Sequence, residues 1–427
     1  MTFAQNALVL AGLLAVPLAI GAALLAGFAP GAILAGLLRR HAGIAATFAA
    51  LVAASVALGA GLVAQERGAR EAAARGAAAF DMIVAAPGSQ TEAMLAAVYL
   101  RARALELLDG DAFARVEGTR GVALAAPLAF GDSLPSGGAV VGTTAAFAAH
   151  LAPLVQGRMF ETPWEGVAGA RAPYGPGDAV TPRHGHGEAA EAGAHGTGVY
   201  TVTGRLAPTG TPWDDALIVP AEGVWAVHGL AAGHADPDAI GPPWDPALFP
   251  GTPAIVAVAD SLPGAYAARA ALDREGTMAF FPGAVLADLM GIFGDVRRAM
   301  SVMAGAAQLL VGLAVLAGLV ILARLLAPRL ALLRALGAPR RLVLGLVWAM
   351  AAGIVGAGCA AGLALGWLAA LVIARMASGA TGLDVPARLG WAELHLAAAL
   401  FAAATLAALV PAALAARRPP ADDLTRT

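Results

Sequence analysis

Residues 301–323 read SVMAGAAQLLVGLAVLAGLVILA, residues 342–368 read LVLGLVWAMAAGIVGAGCAAGLALGWL, and the stretch between them, 324–341, reads RLLAPRLALLRALGAPRR. Each flanking run is uncharged and exceeds the ~20 apolar residues that a helix needs to cross a hydrocarbon core of ~30 Å. The connection carries five Arg and no acid. Basic residues beside a span stay on the cytoplasmic side. The pattern therefore predicts two membrane helices joined by a short cytoplasmic segment.

Working outward, the runs 7–29, 42–63 and 394–414 are also free of Asp, Glu and Arg. A charge inside a span would mark an ion pathway, so an ion-coupled carrier is disfavoured. Thr47, Ser55, Gln308 and Thr405 are the weakly polar points, and each can bond to its own helix or a neighbour. Arg39 and Arg40, the Arg of 324–341, and the tail 415–427 together leave the basic segments with a net charge of +8. Residues 65–299 instead hold 15 Arg against 25 Asp and Glu, a net of −10, and are placed outside. The chain thus divides into an N-terminal apolar segment with a basic lead (1–41), a transmembrane helix (42–64), an external domain (65–299), a transmembrane helix (300–323), a cytoplasmic segment (324–341), a transmembrane hairpin (342–414) and a cytoplasmic tail (415–427). The segment 7–29, interrupted by Pro17, reads either as a further span or as a membrane-embedded elbow.

Composition sets further bounds. Of 427 residues, 59% are apolar and 13% charged, which excludes an ordinary soluble enzyme. All 27 basic residues are Arg. Without Lys the chain can form neither a P-loop nor a Schiff base. Cys359 is the single cysteine, so disulfides and Cys-based zinc or iron–sulfur sites are excluded. With no Ser/His/Asp or HExxH motif, no catalytic residue and no intrinsic cofactor are expected, and the protein reads as a non-enzyme.

The external domain mixes strand patterns at 139–143, 198–206, 216–219 and 254–259 with helical patterns at 65–79, 91–108, 263–275 and 283–300. The expected fold class is therefore a polytopic α-helical membrane protein with a large α+β extracytoplasmic domain. Helices 65–79 and 283–300 adjoin spans and can extend them.

The segment 332–341 reads as a short amphipathic basic helix that stops at Gly337 and Pro339, and Leu333, Arg334, Leu336, Gly337, Arg340 and Arg341 are its candidate coupling residues. It reads as a docking element for a cytoplasmic partner or as the basic loop that any multi-span protein needs. Gly358, Gly362 and Gly366 recur every fourth residue, a spacing that lets another backbone come close within the chain or across a dimer. In a chain this rich in Gly and Ala the spacing also arises by chance.

These features resemble the FtsX/MacB-like family of ABC transporter permeases. The resemblance covers roughly 37–427 and rests on Leu37-Leu38-Arg39-Arg40 leading into a span, the large external domain opening at Phe80-Asp81-Met82-Ile83-Val84, Leu333-Arg334-Ala335-Leu336-Gly337-Ala338 after the returning helix, and the Pro411…Ala416-Arg417-Arg418-Pro419 ending. Arg329 departs from the family, which usually has an acid there, and 7–29 is a fifth apolar segment where four spans are usual. The resemblance implies a permease subunit in the bacterial inner membrane, bound to a separate cytoplasmic ABC ATPase and to a second permease copy, in a homo- or heterodimer. Its surroundings are membrane lipid; nucleic acid is not a partner. An alternative within the same resemblance is a mechanotransmitting regulator whose external domain acts on a periplasmic cell-wall hydrolase or lipoprotein.

Between 181 and 198 lies His184-Gly-His186-Gly-Glu188 … Glu191 … His195, in a Gly- and Ala-rich loop. Three imidazoles and two carboxylates suit Zn²⁺, and the same composition also describes a solvated insert. Glu222, His228, His234, Asp236 and Asp238 are further downstream donors; His228 also reads as a helix cap, and the isolated His41, His150 and His395 read as structural. The block Val199–Leu206, Thr209-Gly210-Thr211-Pro212-Trp213-Asp214, Glu222, Trp225 and His228-Gly229 resembles a subgroup of these permeases found with zinc-responsive uptake operons. That resemblance serves only to choose zinc among divalent-metal substrates; Zn²⁺ at the loop is read from its imidazoles and carboxylates, and a periplasmic metal-binding or lipoprotein partner is a further expectation.

Overall fold

Met82–Ala85 (MIVA), Leu217–Pro220 (LIVP) and Ala254–Ala259 (AIVAVA) are apolar at every position. A strand can be so only where both of its faces are covered. The computed structural model describes residues 2–101, 103–185 and 198–417. It contains two units: Ala69–Gly294 with Met376–Val385, which holds the sheet, and Met1–Gly68, Asp295–Arg375 and Pro386–Thr427, which is helical.

In the sheet unit, eleven strands are present among the described residues: β1 Met82–Ala85, β2 Val122–Ser133, β3 Ala139–Thr143, β4 Leu154–Gly157, β5 Glu165–Ala168, β6 Ala179–Val180, β7 Arg183–His184, β8 Tyr200–Leu206, β9 Leu217–Pro220, β10 Ala254–Ala259 and β11 Met278–Phe280. Their order is β11-β1-β10-β2-β3-β9-β5-β8-β4, with β6 on β8 and β7 on β2. The β3–β9 and β5–β8 pairs are parallel and the others antiparallel. Twelve-residue β2 serves three partners: Val122–Leu128 pairs with β10, Ala129–Ser133 with β3, and Asp132 and Ser133 also with β7. The period of two then sorts side chains into two cores. Val84, Ala125, Val140, Leu217 and Ile255 face one; Ile83, Ala126, Val141, Ile218 and Val256 face the other.

Five helices cover the faces: α4 Gln90–Ala97, α5 Gly110–Glu117, α6 Ala145–Leu151, α7 Ala221–Val227 and α8 Leu262–Leu272. Ser89, Asp109, Thr144 and Ser261 start α4, α5, α6 and α8 by accepting a backbone N–H of the first turn. The expected helix over 91–108 is a correction. After α4, Leu100 takes a left-handed backbone (φ 51°), and Asp109 caps a new helix instead of continuing the old one.

The helical unit is built from α1 Phe3–Leu25, α2 Gly31–Arg40, α3 Ala42–Ala77, α9 Pro282–Ala335, α10 Arg340–Thr381, α11 Trp391–Ala407 and α12 Leu409–Arg417, of which α3, α9 and α10 also carry residues of the sheet unit. Five helical stretches among the described residues are long and apolar enough to cross a membrane: Phe3–Leu25, Ala42–Ala77, Gly305–Ala335, Arg340–Thr381 and Trp391–Arg417. The separate short helix expected within 332–341 is not formed; α9 is continuous through Pro328 to Ala335. Leu, Ala and Arg are strong helix formers, and Pro is tolerated in such helices. The stop falls where Gly337 predicts it. With φ 97° it lets its own N–H reach Arg334 O and that of Ala338 reach Leu333 O, the double bond of a Schellman ending.

Candidate functional site

Asp132 is completely buried near the end of β2. A register shift between Ala129 and Asp132 interrupts the β2–β3 ladder, and such a bulge redirects the side chains beyond it. Opposite Asp132 on β7 stands His184. His228 caps the C-terminus of α7. Each carboxylate oxygen faces one imidazole: Oδ1 lies 3.6 Å from His184 Nδ1, and Oδ2 lies 3.5 Å from His228 Nε2. The two rings stand edge to face with centroids 5.3 Å apart. One donor atom from each of the three residues lies within 4.8 Å of the others. Hydrogen bonding to Asp132 holds the His228 imidazole above its ordinary range, against the opposing effect of burial.

Of the metal residues expected from the sequence, His184 is thus in the cluster, while His186, Glu188, Glu191 and His195 lie outside the described residues. The downstream donors separate. Buried Glu222 accepts from Gly241 N (2.7 Å) and Trp244 Nε1 (2.6 Å), with His234 Nε2 at 3.5 Å, a set that pins the 241–244 loop over α7. Asp132 escaped sequence analysis because a lone Asp after an apolar run reads as the start of a turn. Its signal was the neighbour Gly131, where a Cβ would come within 2.9 Å of His228 Nε2.

The Thr209–Asp214 block also has an internal role. Trp213 is buried and its Nε1 donates to Val98 O at 3.1 Å. Asp214 accepts from Thr209 N, Thr209 Oγ1, Gly210 N and Arg171 Nη1, at 2.7 to 3.0 Å. Arg171 lines an open groove of about 1190 Å³ within the sheet unit, together with Tyr99, Arg101 and Asp384. It is held there by Asp214, Asp215 and Gly382 O, and Arg101 by Ala380 O.

In the helical unit, the residues expected to couple to a partner take two kinds of position. Leu336 and its neighbour Leu332 are exposed, as is Arg340; Leu333 packs against the helical core. Arg341 is turned inward: it donates to Leu24 O at 3.2 Å and to Ala26 O at the end of α1, and lies over the Phe28 ring. It therefore satisfies carbonyls that the last turn of α1 leaves open. Arg329 Nη1 contacts His41 Nε2 at 3.3 Å. Gly358, Gly362 and Gly366 face α3, where added Cβ atoms would meet Val52 Cβ at 2.7 Å, Val56 Cβ at 2.6 Å and Ala57 O at 2.9 Å. Not anticipated from the sequence was Glu393, fully buried and bound through both oxygens by Arg67 (2.6 and 3.1 Å).

No protein-family model matches the chain, and no curated protein matches it in sequence. Among solved structures it is similar to the periplasmic region of MacB from Actinobacillus actinomycetemcomitans, with 10% identity over 51% of this chain and 95% of that one and a TM-score of 0.32. It is also similar to the extracellular domain of the noncanonic ABC-type transporter YknZ from Gram-positive bacteria, with 12% identity over 47% of this chain and 98% of that one and a TM-score of 0.29.

Proposed function

We propose that the chain is the permease subunit of an ABC transporter of the FtsX/MacB type, with its sheet unit outside the cytoplasmic membrane and ATP hydrolysis on a separate subunit. The observation that carries this reading is the junction of α9 and α10. There an apolar, multi-turn helix ends in a glycine turn that presents Leu332, Leu336 and Arg340 to solvent, on the side to which the charge asymmetry assigns the cytoplasm. Exposed leucines flanked by arginines on a basic face are what a protein partner would cover. The lack of Lys supports a partner that supplies the nucleotide site. A second permease copy belongs to the same reading. We also propose that the external unit handles divalent metal, supported by the two imidazoles and one carboxylate gathered at Asp132.

Capture of a co-expressed cytoplasmic ABC ATPase by the full-length protein in detergent tests the partner. Leu332→Gln combined with Leu336→Gln touches only exposed positions and should weaken capture by about tenfold or more, equivalent to ~1.4 kcal/mol. Undiminished capture would sink the docking role of this turn.

A further inference from the structure

A fully buried carboxylate has to be compensated, because an ion removed from water without a partner is strongly unfavourable. Two imidazole nitrogens stand 3.5 and 3.6 Å from the two oxygens of Asp132, and one donor atom from each of Asp132, His184 and His228 lies within 4.8 Å of the others. Zinc-type ions bind imidazole nitrogen at about 2.0–2.1 Å and carboxylate oxygen at about 2.0–2.2 Å, so ligands on one ion sit ~3.3–3.6 Å apart, a spacing that donors gathered this closely reach by small side-chain shifts. The donor set, two nitrogens and one oxygen, is also the one that first-row transition ions prefer, whereas Ca²⁺ and Mg²⁺ take oxygen.

We infer that Asp132, His184 and His228 form a binding site for a divalent transition-metal ion of the zinc type. The inference rests on the metal-handling part of the proposed function and is independent of the ATPase partner. Three elements supply the ligands: β2, β7 opposite it, and the C-terminal cap of α7. Asp132 forms the floor of the site. His184, half exposed, forms its mouth. Gly131 is the accommodation that the site requires, since any larger residue would press on the coordinating nitrogen of His228. Three protein ligands leave a fourth position for water, the arrangement of exchangeable sites and not of closed structural ones. The ion thus enters and leaves past His184.

The test uses the full-length chain in detergent, titrated with Co²⁺ while the visible absorption that reports a low-symmetry, imidazole-bound ion is recorded, followed by displacement with Zn²⁺. One ion per chain is expected, displaced by Zn²⁺ and unaffected by excess Mg²⁺ or Ca²⁺. Asp132→Asn and His228→Gln should each lower affinity by more than the roughly 10–100-fold that losing an outer-sphere partner costs. His184→Ala, at a half-exposed position, gives the same readout without burdening folding. A double change of His186→Ala and His195→Ala should leave binding intact. If binding is lost in that double variant and retained in Asp132→Asn, His184→Ala and His228→Gln, the site is wrong and the metal-handling reading survives in the loop. If the unmodified chain binds neither ion, both are overturned, and the cluster is an imidazolium–carboxylate contact only.

Discussion

The two units use the same Ala- and Gly-rich alphabet and hold together by different means. In the helical unit, cohesion comes from absence of side chain: Gly358, Gly362 and Gly366 let α10 lie directly on Val52, Val56 and Ala57 of α3. In the sheet unit it comes from large side chains and buried carboxylates. Trp213, Tyr200, Phe147 and Phe280 are fully buried, and Asp132, Asp214 and Glu222 sit among them. The difference is what the surroundings in the proposed function would require. Between helices in a membrane the lipid is as apolar as the helix surface, so close van der Waals packing has to supply the attraction. For a unit in water, burying aromatic area is itself favourable, and a carboxylate can be buried when enough donors meet it. Glu393 is the exception that fits the rule: the buried acid of the helical unit is matched by both guanidinium nitrogens of Arg67 and by Gly390 N.

The sharpest break in this contrast should come from Asp214→Ala. The change strands Thr209 N and Gly210 N, leaves Thr209 Oγ1 only its contact with Thr211, and loosens Arg171. At about 1–3 kcal/mol for each buried donor left unmatched, and less for the half-buried N–H groups of Thr209 and Gly210, the loss together with the loosened Arg171 comes to about 3 kcal/mol. Near-ultraviolet circular dichroism should report it, because Trp213 is adjacent. An unfolding midpoint equal to that of the unmodified chain would show that the network is not what holds this corner.

A smaller loss is expected in the other unit from Gly362→Leu. A Cβ at this position would lie 2.6 Å from Val56 Cβ and 2.7 Å from Ala53 O, and the remainder of the side chain has to go further. Overpacking of this kind costs about 1–3 kcal/mol. Gly353→Leu is the control, since a Cβ there meets nothing within 4 Å. Thermal unfolding in detergent should separate the two variants; equal midpoints would mean that the row is a product of composition.

How far this division could be read beforehand depended on whether the signal was local. The apolar runs and the glycine stop at 337 are properties of consecutive residues, and β3 at Ala139–Thr143 and β10 at Ala254–Ala259 occupy the ranges that their β-branched and apolar residues predict. The helix expected over 91–108 failed because its end is set by Leu100 and the competing cap at Asp109. Similarly, the basic stretch looked separate from the preceding span because its charge changes at Arg324 while the helix runs on unbroken to Ala335. Long-range pairings left no trace: 326 positions separate Arg67 from Glu393, and Asp132 meets His228 only because a bulge on β2 and the end of α7 converge. The Thr209–Asp214 block illustrates a different loss. It is distinctive as a sequence, and its residues turn out to be engaged with one another and with Val98, so distinctiveness here tracks a fold requirement.

The smallest expected effect tests whether burial, and not mere pairing, gives the carboxylates of the sheet unit their weight. Glu165 accepts from Arg158 Nη1 at 2.8 Å and Nη2 at 2.5 Å and from Glu161 N at 2.8 Å, in a setting where half of Arg158 remains in solvent. The Arg158 hydrogen bonds hold the Glu165 carboxyl below its ordinary 4.5, outweighing partial burial. A carboxylate whose folded pKa is depressed contributes stability that is fully present above its unfolded value and is lost as pH falls through the folded one. The contribution should therefore be constant from neutral pH down to about 4.5 and fade below it. Glu165→Gln lacks it at every pH. The difference in unfolding midpoint between the two proteins should be modest at neutral pH, shrink below that value, and fall with added salt, because solvent and ions screen an exposed pair. A difference that persists into acid would mean that Glu165 acts through packing or neutral hydrogen bonds. The same salt series applied to Asp214→Ala should show little change, since a buried network is screened much less.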